Sequence, residues 1–374
     1  MIKRIGIITF HGFNYGAILQ CYALQQVLCE MGYITENIQY TPSSEKLMYP
    51  IKIKVQKQLR SVVFSLIYKE RIKKNISFHA QYLSTSGIKY LGKEDIMTNP
   101  PLYDAYITGS DQVWNPKITN GDEIYFLSFV PNEKKKIAYA ASFGVREIDN
   151  QYNQLYCKLL NEIDYLSVRE ETGKSIVKKL TGRDSEIVLD PTLLLDKLKW
   201  LKISSSSGYR CPFIFCYHMA RNKNVSRFIY RNSRILGKKR NLDVVHLGEK
   251  EYLKLFFWRK NNYSAGPSDF IEMFKYSKYV FTNSFHGVVF AIIFNVNFYF
   301  ITDSTDLREN SLAGRVQSLL HNLSLENRII DCSKTKNIPS FEKINFAEVE
   351  SLLYKLQVQS KKFLINSLGG FNYI

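Results

Sequence analysis

Apolar and polar positions along this chain alternate between two rhythms. Short apolar or β-branched runs fall at 4–10, 34–40, 104–108, 136–142, 163–168 and 185–189, and again at 212–218, 242–247, 278–283 and 297–302. Between them lie stretches with helical spacing, at about 16–31, 222–237, 268–276, 285–294 and 312–323. Strands alternating with helices predict βα units and parallel sheets. Gly32 follows the first long helix as a stop signal. Val349, Leu352, Leu353, Leu356, Phe363 and Leu364 share one face of 346–367, which predicts a closing amphipathic helix.

The 374 residues exceed one ordinary domain, and two domains of roughly 150–200 residues are expected. Ser204-Ser205-Ser206-Ser207-Gly208 is the best linker. The reading is therefore α/β, with two Rossmann-like domains facing across a cleft. They are assigned to 1–200 and 201–340, and 341–374 packs back on the first. Ligands of open α/β sheets bind outside the carboxyl ends of the strands.

Charge narrows the partners. A formal net charge of +17 favours an anionic one. Lys52, Lys54, Lys57, Arg60, Lys69, Arg71, Lys73 and Lys74 crowd one segment, with Val55, Leu59, Val62, Val63, Leu66 and Ile67 at helical spacing. This basic amphipathic helix, 51–76, is either a surface helix or a contact with an anionic membrane. Nucleic acid is not expected, since no recognition motif accompanies the charge. Met1-Ile2-Lys3-Arg4 leads straight into a strand, and no long uncharged apolar run follows. The chain is expected in the cytoplasm, possible membrane contact being peripheral and on the inner face. Six scattered cysteines without Cys-x-x-Cys pairs read as free thiols, and no metal is expected.

Four segments carry candidate chemistry. Phe10-His11-Gly12-Phe13-Asn14-Tyr15-Gly16-Ala17 joins a strand to a helix; it is an anion-binding turn or a purely structural one. Thr108-Gly109-Ser110-Asp111-Gln112-Val113-Trp114 joins polar groups to an indole. A sugar needs such a stacking face beside groups that read hydroxyls, and a capped loop around a packed Trp114 has the same pattern. Arg169, in Ser167-Val168-Arg169-Glu170, sits where a strand yields to a helix. It grips a carboxylate or phosphate there, or pairs with Glu170 or Glu171. In Thr282-Asn283-Ser284-Phe285-His286-Gly287, His286 opens a very apolar helix and so is expected at the cleft edge. A helix N-terminus disfavours imidazolium, so an acid role needs a nearby negative charge. His218 and His246 line the cleft or are packed, and no Ser-His-Asp order points to a hydrolase.

These motifs, with Asp190-Pro191-Thr192 and in this order over about 5–325, resemble the polysaccharide pyruvyl transferase family. The resemblance implies a GT-B-like fold, phosphoenolpyruvate as donor substrate, no cofactor, and a sugar diol of a glycan or lipid-linked precursor as acceptor. It implies His286 as general acid and Arg169 as a donor-holding cation, with Asp111 taken for the acceptor hydroxyl. Gly12, Asn14, Gly16, Asn283, Ser284 and Arg315 are expected on the donor; Ser110, Gln112 and Trp114 on the acceptor. Many members carry Arg-Leu-His where this chain has Ser284-Phe285-His286, and Arg315 is the candidate substitute for the missing cation. A GT-B glycosyltransferase using a nucleotide sugar and a non-catalytic assembly scaffold are the rival readings.

Overall fold

The computed structural model describes residues 2–42, 60–206, 211–219, 222–248, 264–304, 311–338 and 342–369. The chain forms two compact units: Met1–Ser61, Ser77–Leu195 and Lys355–Ile374 in the first, Val62–Ile76 and Asp196–Tyr354 in the second.

The first unit is built on β1 (Arg4–Ile8), α1 (Tyr15–Glu30), β2 (Ile34–Thr41), α2 (Arg60–Tyr82), β3 (Thr85–Leu91), α3 (Lys93–Thr98), β4 (Ala105–Thr108), α4 (Pro116–Thr119), β5 (Lys135–Ala141), α5 (Asn150–Asn161), β6 (Tyr165–Val168), α6 (Glu171–Thr181) and β7 (Glu186–Ile187). Its sheet runs β3-β2-β1-β4-β5-β6-β7, and every pairing is parallel. Strand order reverses between β1 and β4, so the crevice that such sheets offer to ligands lies between the loops after these two strands.

The second unit carries α7 (Lys197–Lys202), β8 (Phe213–His218), α8 (Lys223–Arg240), β9 (Asp243–Gly248), α9 (Pro267–Tyr276), β10 (Ser277–Thr282), α10 (Phe285–Ile293), β11 (Asn297–Thr302), α11 (Ser311–Asn322), β12 (Ile329–Asp331) and α12 (Phe346–Leu368), the last continuing into the first unit. Its parallel sheet runs β12-β11-β10-β8-β9. Here the order reverses between β8 and β10. The helix α10 is buried along its whole length, as its apolar sequence requires, and Phe290 meets Trp200 edge to face at 4.9 Å. Gly287 lets it approach β10, because a Cβ there would collide with Thr282.

Several expectations shift. The units divide at Leu195/Asp196, and only the part of α12 from Lys355 onward groups with the first. There, Gln357 Nε2 donates to Leu193 O at 2.6 Å and Ser360 Oγ accepts from Leu189 N at 2.9 Å. Strand β3 escapes the apolar pattern because only Ser86 and Tyr90 are buried along this edge. In the expected linker, Ser205 Oγ lies 2.7 Å from both Asp269 and Glu272 of α9, while 207–208 lie outside the described residues. The basic segment is described as helix only from Arg60, and Lys52, Lys54 and Lys57 lie outside the described residues. Lys74 is engaged with Asp269 at 2.8 Å. Among the described residues no helix is long and apolar enough to cross a membrane.

Candidate functional site

In the first unit the motifs converge on the carboxyl edge of β4, β5, β6 and β7. The guanidinium of Arg169 lies there, almost fully buried. Its Nη1 donates to Asp190 Oδ2 at 2.6 Å and to Ser110 Oγ at 3.3 Å; Nη2 stands 3.7 Å from Asp111 Oδ1 and Nε 4.0 Å from Glu170 Oε2. Burial pushes the Arg169 pKa down, but Asp190, Asp111 and Glu170 outweigh it and raise the pKa, so the group stays charged. The carboxylates are anchored in turn. Asp190 Oδ2 also accepts from Ser110 Oγ at 2.8 Å, and its Oδ1 from the Thr192 hydroxyl at 2.6 Å. Glu170 accepts from Ser142 Oγ at 2.7 Å.

Local backbone conformation aims these groups. Ala140 has φ +53°, where β5 breaks register against β6 between Ala138 and Ala141. Ser167 Oγ fastens this bulge, accepting from Ala140 N at 3.1 Å and donating to Ala138 O at 2.8 Å. Asp111 has φ +77°, a conformation that L-residues adopt at a cost and that gathers at functional sites. Its carboxylate caps Gln112 N at 2.9 Å and remains partly exposed.

Three expectations change in this unit. Trp114 offers no face to a sugar. It is fully buried, stacked on Phe126 at 5.1 Å, with its indole N donating to Tyr125 O at 3.1 Å. Arg169 is directed into the protein's own carboxylates, because burial of a guanidinium demands compensating charge. In the turn after β1, Asn14 caps α1, its Oδ1 accepting from Gly16 N at 2.9 Å and Ala17 N at 3.3 Å. The N–H groups expected to hold an anion are thus engaged by Asn14, while Gly12 is exposed. Next to Gly12, the His11 ring lies 5.4 Å from that of His79; burial and this neighbour lower the His11 pKa to about 4. Gln112 Oε1 accepts from Asn115 Nδ2 at 2.8 Å, and both crowd Gly144, where a Cβ would collide with them and φ is +62°.

In the second unit the candidate residues follow β8 and β10, beside the reversal of strand order. Asn283 pairs with Met219 as a strand would: Oδ1 accepts from Met219 N at 2.7 Å and Nδ2 donates to Met219 O at 3.1 Å. This ties the loop after β8 to the start of α10. Ser284 is the N-cap residue of α10, and its backbone N donates to Thr282 Oγ1 at 3.0 Å. His286 occupies the first turn with its side chain largely buried; its ring meets Phe285 edge to face at 5.3 Å. Arg315 of α11 is buried on the same aromatic residue, its Cζ 5.9 Å from the ring centre. Phe285 therefore gathers His286 and Arg315, although 29 positions separate the two in the sequence. His218, last in β8, meets His246 at 5.7 Å; burial, then this neighbour, lowers its pKa to about 3.

Ser142 lies outside the four candidate segments, and Asp190 enters only within Asp190-Pro191-Thr192. Two local signals mark them: Asp190 precedes a proline at a strand end, and Ser142 stands two residues before Gly144 in the turn after β5.

Over its whole length the chain is similar to solved structures of another activity. The UDP-GlcNAc 2-epimerase of Methanocaldococcus jannaschii, solved with UDP-GlcNAc and UDP, matches with a TM-score of 0.55 at 15% identity, over 99% of both chains. A putative UDP-N-acetylglucosamine 2-epimerase of Listeria monocytogenes matches with a TM-score of 0.52 at 10% identity, over 97% of this chain and 90% of that one. At such identities the likeness carries the fold alone, which is α/β with two parallel sheets of the GT-B-like kind. A search of curated protein sequences finds no match. The model of one family, Polysaccharide pyruvyl transferase, matches residues 14–305, the stretch holding every motif assembled above except Arg315 and the first residues of the turn after β1. By that match the chain belongs to the polysaccharide pyruvyl transferase family.

Proposed function

We propose that the protein transfers a pyruvyl group from phosphoenolpyruvate to two hydroxyls of a sugar in a surface polysaccharide or its lipid-linked precursor, forming a pyruvate ketal. The observation that carries this reading is the grouping of His286 and Arg315 on Phe285 at the head of α10, in a chain of this family. The reaction needs a proton on the methylene carbon of the donor, which makes the adjacent carbon electrophilic. One hydroxyl adds there; the second displaces phosphate and closes the ketal. Both hydroxyl protons must be accepted.

In this reading His286 delivers the proton. The negative donor supplies the charge that a helix N-terminus denies to imidazolium. Arg315 and the first N–H groups of α10, with Asn283 and Ser284 shaping that turn, hold donor phosphate and carboxylate. Arg315 thereby supplies the cation absent at Ser284. Asp111 accepts a proton from the sugar, and Arg169 is a positioning residue that fixes Asp111 and Ser110; Ser110 and Gln112 shape the acceptor side. No metal or cofactor enters these steps. The protein acts in the cytoplasm, where phosphoenolpyruvate is available.

The test is incubation with phosphoenolpyruvate and a panel of polysaccharides and lipid-linked glycans. Release of phosphate together with a product heavier by pyruvate minus water supports the proposal. Thermal stabilisation by nucleotide sugars, with none by phosphoenolpyruvate, overturns it in favour of a glycosyltransferase.

A further inference from the structure

The helix α8 carries Lys223, Arg227, Arg231, Arg234, Lys238, Lys239 and Arg240 and not one acidic residue. Lys223, Arg227, Arg231, Arg234 and Lys238 recur every three or four positions, so they form one stripe along the helix. All but the half-buried Arg234 are exposed. The opposite face is fixed in the unit: Val225, Phe228, Ile229 and Leu236 are buried, and Asn232 Oδ1 accepts from Ile338 N at 3.1 Å. The stripe therefore cannot rotate inward.

Among the described residues, none of the seven cations forms an ion pair. Like charges at this spacing destabilise a helix, and solvated helices usually mix signs. Elsewhere this chain does mix them. The helix α6 combines Glu171 with Lys174, Lys178 and Lys179, and α12 combines Glu348 and Glu350 with Lys355, Lys361 and Lys362.

We propose that this face of α8 docks the protein on the anionic headgroups of a lipid bilayer. A straight helix of this length presents its cations along roughly 20–27 Å, which suits a plane of phosphates. Ile235, 47% exposed, flanks the stripe, and an aliphatic group suits the headgroup boundary. A single-stranded nucleic acid would call for open aromatic faces, whereas the Tyr230 ring lies under the Arg234 guanidinium at 5.4 Å. The inference does not rest on pyruvyl transfer, which vesicle binding leaves unprobed.

The experiment is flotation of the full-length protein with vesicles of equal parts phosphatidylglycerol and phosphatidylcholine. The wild-type chain should float with these, stay behind with pure phosphatidylcholine, and be released as salt rises. The combined variant Arg227→Glu, Arg231→Glu, Lys238→Glu should partition on the order of 100-fold less. Should it fail to fold, the corresponding glutamines at these exposed positions give the same reading with a smaller loss. Replacing Lys69, Arg71 and Lys73 by glutamate tests the other basic segment. Undiminished flotation of the α8 variant overturns the proposal. So does loss of flotation through the second trio alone, or tighter binding to an RNA duplex than to the vesicles at the same salt.

Discussion

Both sheets place candidate residues at the carboxyl edge of their strands and give them opposite electrostatic character. At the carboxyl edge of the first, one arginine lies among Asp190, Asp111 and Glu170, and serine and threonine hydroxyls complete the network. At that of the second, Arg315 and His286 share Phe285, and His218 at the end of β8 meets His246 of β9. The first is a locked acidic cluster closed around one buried guanidinium. The second is a basic and aromatic cluster. Parallel α/β topology supplies the position, while loop composition decides which partner is welcome.

The sharpest way to break this comparison is to ask which edge carries chemistry and which carries stability. His286→Ala should lower pyruvyl transfer by about 10²–10⁴-fold, the usual worth of a general acid, while shifting the unfolding midpoint little. Steady-state rates beside a denaturation curve check this. A rate within a factor of a few of wild type would remove His286 from the reaction.

Asp190→Ala should act the other way. It strips the closest counter-charge from a buried guanidinium, at a cost of about 3–5 kcal/mol, read from chemical denaturation. Unchanged stability would show that Asp111 and Glu170 suffice.

The next effect is pH. The folded His218 has its pKa lowered from 6.5 to about 3, so the unfolded chain binds the proton first. Stability from this group is complete above about pH 6.5 and falls as pH drops toward 3, by up to about 1.4 kcal/mol per pH unit. Denaturation at about pH 5 should show a loss near 2 kcal/mol relative to neutral pH, and His218→Gln should reduce that dependence.

Smallest is Asn14→Ala, which removes the cap of α1 and should cost about 1 kcal/mol in thermal unfolding. It also releases the N–H groups of Gly16 and Ala17. Tighter phosphoenolpyruvate binding in this variant would return the turn to the donor site. Unchanged or weaker binding leaves Asn14 a cap.

Periodicity by itself determined the parallel α/β architecture. Apolar runs made the strands at 4–10, 212–218 and 278–283 stand out, as did the uniformly apolar helix after Thr282. It missed β3, an edge strand with little to bury. The order of motifs was enough to reach the family. What each motif does was decided by tertiary structure. Trp114 reads equally well as a sugar platform or a core residue until Phe126 is seen stacked upon it. Arg169 reads as a ligand grip until Asp190, distant in sequence, is found at 2.6 Å. Side-chain type and spacing fix which surfaces must be buried. They do not fix which polar groups meet, because those partners come from separate strands and only the folded sheet brings them within hydrogen-bonding distance.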